Sequence, residues 1–165
     1  MSTSLDDFDD GRPESPAQRA DRNWNEILQE LRVLQTGTQI LTGFLLALAF
    51  QPSFAELDGG QRILYLTLIA LSALSAVLAL APVALHRAVF HLQVKPALVR
   101  FGHRSLRGAL ALVSLLLVGV VVFVFDVVVT LEASIAAGVV LGAVILVLWI
   151  VVPLIIRRRG RETAQ

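Results

Sequence analysis

Four long apolar segments, separated by short polar stretches, form the hydrophobic pattern of this chain. A helix rises about 1.5 Å per residue, so roughly 20 apolar residues are needed to cross a hydrocarbon layer about 30 Å thick. The segments lack the alternating pattern of barrel strands, and backbone amides in lipid must find partners within their own segment. The pattern therefore predicts four transmembrane helices, at about residues 33–50, 63–85, 108–125 and 133–156.

Composition agrees with this interpretation. Hydrophobic residues make up 56% of the 165 residues and the mean hydropathy is +0.74, more apolar surface than a water-soluble domain of this length can bury. We therefore predict an all-α fold, a polytopic membrane protein built as a four-transmembrane-helix bundle. The chain has no cysteine, which excludes disulfides, thiolate metal sites and a cysteine nucleophile.

The distribution of basic residues predicts the orientation, because Lys and Arg are retained on the cytoplasmic side during insertion. Of the 14 Lys and Arg residues, all except Arg62 fall on one side of the predicted membrane. This predicts that both termini and the loop between the second and third spans are cytoplasmic. Basic side chains next to the spans are expected to meet anionic lipid headgroups, each contributing roughly 1 kcal/mol. They are Arg87, Lys95, Arg100, Arg104, Arg107, Arg157, Arg158 and Arg159.

Polar segments flank the spans at both ends of the chain. Residues 1–22 are acidic and poor in apolar side chains, so they predict a disordered cytoplasmic tail, and residues 157–165 predict a short basic tail. From residue 23 onward, apolar side chains recur at spacings of three and four, which predicts an amphipathic juxtamembrane helix. These apolar residues are Trp24, Ile27, Leu28 and Leu31.

The sequence leaves two arrangements open for this amphipathic helix. It can continue the first span and pack on a cytoplasmic extension of the bundle. It can also bend near Arg32 and lie in the headgroup layer, with Trp24 as an interfacial anchor. The bend is the preferred alternative.

A stripe of polar side chains on one face of the first span is the strongest candidate for a site. The remaining positions of this span suit lipid, so the stripe is expected to face the bundle interior, where Ser75 and Ser114 lie at a similar depth. The stripe can simply supply interhelical hydrogen bonds, or it can line a small polar cavity or ion path. Its members are Gln35, Thr38, Gln39 and Thr42.

Two acidic residues, Asp126 and Glu132, fall near the outer boundary of the third and fourth spans. A charge at the bilayer centre costs at least about 2.5 kcal/mol, whereas a carboxylate at the boundary stays hydrated. We interpret both as structural or topological residues, with entry of a proton or cation as the alternative.

Helix packing is suggested by Gly138 and Gly142, whose small-xxx-small spacing allows close approach within one chain or between copies. Pro82 is expected to kink the second span, since it removes a backbone hydrogen bond.

Candidate chemistry is otherwise scarce, and the sequence predicts no catalytic residue, no metal site and no cofactor. His86, His91 and His103 cluster on one predicted loop, without the convergent ligands that zinc needs or the paired depths that a transmembrane haem needs. There is no hydrolase, metalloprotease or phosphate-binding motif. Nucleic-acid binding has no motif either, since the basic residues follow the needs of membrane orientation.

The segment NWNEILQELRVLQTGTQILTGFLLALAFQPSF, followed by APVALHRAVF and Lys95, resembles an uncharacterised actinobacterial family of small four-span integral membrane proteins, a domain of unknown function. The resemblance covers about residues 23–156. It implies four spans and an inner-membrane location, but no catalytic or binding residues. The residues that stand in the family's pattern are Trp24, Glu26, Glu30, Arg32, Gln35, Thr36, Gly37 and Gln39.

Together these features predict a non-enzymatic interaction or accessory subunit, held in homo-oligomers or beside a larger membrane complex. The alternative is a small oligomeric channel or transporter whose polar path follows the first transmembrane helix.

Overall fold

Five α-helices make up most of the computed structural model, which describes residues 15–89 and 95–162. Four chain segments, each beginning in a different one of these helices, are long and apolar enough to cross a membrane. This confirms the predicted all-α membrane fold. Helices α1, α2 and α3 pack on one another, and α4 lies mainly against α3. The helices are α1 (Pro16–Leu48), α2 (Gly59–Ala88), α3 (Lys95–Val128), α4 (Leu131–Leu146) and α5 (Val152–Glu162).

Helix α1 begins at Pro16, so the last seven residues of the predicted disordered tail, 16–22, are helical and that prediction is wrong for them. The cause is a capping box. The Ser15 hydroxyl accepts from the Gln18 backbone N–H, the Gln18 side chain accepts from the Ser15 N–H, and Pro16 has a φ already suited to a helix start. Residues 1–14 of the predicted tail lie outside the described residues.

The loop predicted between the second and third spans is largely helical. Helix α3 starts at Lys95, well before the predicted start at residue 108, and Pro96 stands at a first-turn position where its missing N–H costs nothing. The early start of α3 has a physical reason. Before the apolar run begins, buried residues already recur at the spacing of one helix face. These positions are Leu98, Val99, Gly102, Ser105 and Leu106.

An apolar belt extends in α1 from Arg32 to the end of the helix at Leu48, with Gln51 just beyond it, and in α3 from Arg107 to Asp126. The stretch of α1 is about 24 Å long and that of α3 about 28 Å, close to the thickness of a hydrocarbon layer. Helix α1 extends about 24 Å beyond the belt and α3 about 18 Å beyond it, on the same side. We call this extension, with the last turn of α2, the basic end.

The basic end has its own apolar core. Ile27 and Leu31 of α1 are 1% and 3% exposed, and they pack with Ala79, Val99 and Leu106. Helix α1 runs without interruption through Arg32, so the preferred bend into the headgroup layer is wrong and the alternative, a packed extension, is what the structure has. Burial against α2 and α3 removes this apolar face from water, which a straight helix achieves and a bent one does not.

The opposite half of the bundle is filled by large side chains. Leu45, Leu68, Leu116 and Phe123 are at most 5% exposed. Tyr65 lies among them, and its hydroxyl donates to the Leu45 carbonyl at 2.9 Å. These side chains fill the centre of the bundle on that side of the polar stripe.

Helices α4 and α5 are joined by a π-helical turn, Val147–Val151, and form one long rod. Pro153 explains the turn, because it has no N–H for the Trp149 carbonyl and its ring would crowd that carbonyl in a regular helix. Residues 157–162 continue the rod as helix, so the predicted basic tail is helical over that stretch. Pro82, by contrast, is accommodated inside α2, which continues to Ala88.

Candidate functional site

The polar stripe of α1 splits between the interior and the outer surface of the bundle. Thr38 is buried and its hydroxyl donates to the Leu34 carbonyl at 2.9 Å. The Thr42 hydroxyl bonds to the Thr38 carbonyl at 2.7 Å and contacts the Ser72 hydroxyl of α2. This contact ties α1 to α2 near the middle of the apolar belt, as ordinary interhelical hydrogen bonding does.

Ser75, one turn along α2, is 1% exposed, and its hydroxyl has no hydrogen-bond partner among the described residues. Ser114 of α3 is half-buried and bonds to the carbonyl of Leu110 in its own helix at 2.8 Å. The hydroxyls of Thr38, Thr42 and Ser114 therefore bond to the backbone of their own helices, whereas that of Ser75 does not.

Gln39 lies on the exposed face of α1, so the prediction that it faces the bundle interior is wrong. Gln35, one turn earlier, is only half-buried. The register of α1 is set by Ile27, Leu31, Thr38 and Leu45, all buried at helical spacing, and this register turns Gln39 outward.

At the basic end, a small cavity of about 30 Å³ is lined by side chains of α1, α2 and α3. The Trp24 ring lies 5.2 Å from the ring of His86, centroid to centroid, and is half-buried against the core. Trp24 is therefore packed within the straight extension of α1, and the arrangement in which it anchors a bent helix in the headgroup layer is not the one that the structure has. The cavity lining is Ala20, Asp21, Trp24, His86, Leu98 and Val99.

The basic side chains predicted to meet lipid headgroups lie on the surface where their side chains are described. Arg107 Nε donates to the His103 carbonyl at 3.4 Å, within one turn of α3. Lys95 begins α3, and His91 lies outside the described residues. The exposed members are Arg87, Arg100, Arg104, Arg107, Arg157, Arg158 and Arg159.

The opposite end is organised by Gln61. Its Nε2 donates to Oδ2 of Asp126 at 3.1 Å, and its Oε1 accepts from the backbone N–H of Asp58 at 3.2 Å. The Asp58 carboxylate in turn accepts from the Gln61 N–H at 2.8 Å, which completes a capping box on α2. Asp126 is thus half-buried and hydrogen-bonded, whereas Glu132 is exposed in the first turn of α4.

Glycines mark the close contacts between helices. A Cβ on Gly138 would come within 2.5 Å of Val122 Cγ2, so Gly138 is a true contact between α4 and α3. Gly142 has open space instead, which means that the predicted pair does not act together within one chain. A Cβ on Gly119 would come equally close to the Leu68 side chain. At the basic end, the missing side chain of Gly102 leaves room for Ile27.

Several of these residues were not predicted from the sequence as site residues, among them Gln61, Ser72 and Gly119. A signal for Gln61 exists, since Asp58 and Gln61 have the spacing of a capping box. The same spacing at Ser15 and Gln18 marks the start of α1. No comparable signal identifies Gly119 or the partner of Thr42, because those contacts depend on how two helices cross.

Four helical segments long and apolar enough to span a membrane define a multi-pass helical membrane protein. The chain belongs to the family of unknown function DUF6328, whose profile matches residues 13–153. The match includes the capping box of α1, the basic end and most of the four spans. No curated protein and no solved structure matches the chain.

Proposed function

We propose that this protein is a non-enzymatic interaction or accessory subunit of a bacterial inner membrane, from an actinobacterial source. The observation that carries the proposal is the basic end, where α1 and α3 continue past the apolar belt as one packed body. A helical extension with its own core offers a shaped surface of fixed geometry, which suits recognition of another protein.

The basic end is placed in the cytoplasm by the positive-inside rule, since all Lys and Arg residues other than Arg62 belong to that side. The exposed arginines around it suit anionic headgroups, which would hold the extension at a fixed distance from the lipid. The outward face of α1 in this region is polar and mixed in charge, as the contact surface of an accessory subunit would be. It includes Asn25, Glu26, Gln29, Glu30 and Arg32.

The alternative is an oligomeric channel or transporter. A path through a single chain would have to cross the packed layer of Leu45, Leu68, Leu116 and Phe123. A path of this kind is better accommodated between copies, where the outward Gln39 could line it. Flux through proteoliposomes that disappears in Gln39→Leu would favour this alternative.

The proposal is tested by purification from native membranes in nanodiscs, followed by mass measurement of the proteins that accompany the chain. We expect a defined partner with the wild type and its loss in the double variant Gln29→Arg, Glu30→Arg at the basic end. The matched control is Glu56→Arg, Glu132→Arg at the opposite end, which should retain the partner. Absence of any partner, or equal loss in both variants, would count against an accessory role.

A further inference from the structure

The exposed face of α1 carries a polar side chain that lipid cannot satisfy. Gln39 lies about 10 Å along the helix from Arg32, inside the apolar belt, and its amide has no hydrogen bond to any described residue. Exposed threonines elsewhere in the belt differ from it. The Thr36 hydroxyl bonds to the Arg32 carbonyl at 3.0 Å, and the Thr67 hydroxyl bonds to the Ile63 carbonyl at 2.8 Å.

Small side chains accompany Gln39 on the same face. Gly43 and Ala47 follow at successive spacings of four, and both are exposed. No atom lies within 4 Å of a Cβ placed on Gly43. A small-xxx-small spacing on an open helix face allows another backbone to approach closely, and a buried amide then gains from a partner across the contact.

We infer that this face of α1 pairs with the same face of a second copy of the chain, with Gln39 hydrogen-bonded to its counterpart. The inference deepens the proposed function, and it rests on the chain being an interaction protein. A second copy is the occupant because an amide carries both a donor and an acceptor, so the partial charges of one Gln39 complement those of another under a two-fold rotation.

Membrane insertion makes this pairing self-aligning. Two copies with the same orientation place α1 parallel to α1, and Gln39 and Gly43 then lie at identical depths in both. A two-fold axis along the membrane normal brings these residues together without any shift in register. A helix of a different protein would need a polar group at the same depth by coincidence.

The absence of cysteine makes a direct test simple, because each introduced cysteine is the only one in the chain. We expect oxidation in native membranes to cross-link Gly43→Cys and Ala47→Cys into a species of twice the mass. Leu66→Cys in α2 and Val139→Cys in α4 are matched controls on exposed faces and should remain monomeric. Cross-linking at all four positions alike, or at neither α1 position, would overturn the inference, as would a product containing a different protein.

A second measurement follows dimer affinity in lipid vesicles by single-molecule photobleaching. Gln39→Leu is expected to weaken the dimer about tenfold, since the two symmetric amide bonds are lost. Gly43→Ile should weaken it further, and Gly142→Ile, at an equally open glycine, should leave it unchanged. A wild-type chain that is monomeric in the vesicles but still co-purifies with a partner defeats this inference alone, whereas a wild-type dimer that co-purifies with no partner defeats only the proposed accessory role.

Discussion

Gln61 of α2 and Asp126 of α3 are joined by a hydrogen bond of 3.1 Å from Nε2 to Oδ2, at the end of the bundle opposite the basic end. The same Gln61 side chain closes the capping box of α2 through the Asp58 N–H. One side chain therefore fixes both the start of α2 and its distance from the end of α3.

This relationship predicts that Gln61→Ala destabilises the protein by about 1 to 2 kcal/mol, because it removes a cap contact and a bond to a carboxylate. The measurement is the free energy of unfolding in lipid bicelles. Glu56→Gln, an exposed side chain with no bond to a described residue, is the control and should change little. Equal effects of the two variants would contradict the role given to Gln61.

Substitution by alanine is expected to change the stability of the protein differently at Gly138 and at Gly142. Gly138→Ala places a methyl group 2.5 Å from Val122 Cγ2, and the stiff β-branched side chain cannot turn away, so we expect a loss of about 1 to 3 kcal/mol. Gly142→Ala meets open space and should be neutral or slightly stabilising. Thermal unfolding of the two variants side by side checks this, and equal melting temperatures would argue against the α3–α4 contact.

The core of the basic end predicts that Ile27→Ala costs about 2 to 5 kcal/mol, since a buried side chain leaves a cavity. Val33→Ala is the matched control in the same helix, because Val33 is 75% exposed. Hydrogen exchange of residues 16–32 should rise in Ile27→Ala and stay slow in Val33→Ala. Fast exchange of this stretch in the wild type would show that the extension is not packed.

The two buried serines of α2 predict different responses to the loss of a hydroxyl. Ser72→Ala removes the contact with Thr42, which is expected to cost about 0.6 kcal/mol in a membrane helix pair. Ser75→Ala removes a buried hydroxyl that has no described partner, so stability should stay the same or rise. A larger loss for Ser75→Ala than for Ser72→Ala would reveal a partner for that hydroxyl.

Tyr65→Phe should destabilise the protein by about 1 kcal/mol, because the Tyr65 hydroxyl is buried and donates to the Leu45 carbonyl. The ring itself would stay in contact with Phe54 and Phe123, so the helices should keep their arrangement. Thr67→Val, which removes an exposed hydroxyl two residues along α2, serves as the control. An unchanged free energy of unfolding in Tyr65→Phe would contradict this assignment.

Predictability from the sequence differs sharply between the spans and the basic end. Hydropathy locates residues 33–50 and 108–125 well because any apolar side chain is favourable in lipid, whatever its neighbours. The hydropathy signal begins only at Arg32 and Gly108, although α1 and α3 both start earlier in the chain. Beyond the lipid only one face of each helix is apolar, so hydropathy does not detect these parts of the helices. The capping pattern at Ser15 and the helical spacing from Leu98 to Leu106 carried the missing information.

The candidate site was predicted less completely than the fold. Thr38 and Thr42 were placed correctly toward the interior, whereas Gln39, on the same predicted stripe, faces outward. A stripe of polar side chains spans a wide arc of a helix, and only the crossing of α1 with α2 and α3 decides which part of that arc is covered.

By itself the sequence determined that the chain is helical, has four spans and is strongly asymmetric in basic charge, because these properties depend on side chains interacting with solvent and lipid one at a time. Only the tertiary structure decided that α1 stays straight through Arg32, that Gln61 bonds to Asp126, and that Gly138 is covered while Gly142 is open. These features depend on distances between helices, which follow from the packing of many side chains together.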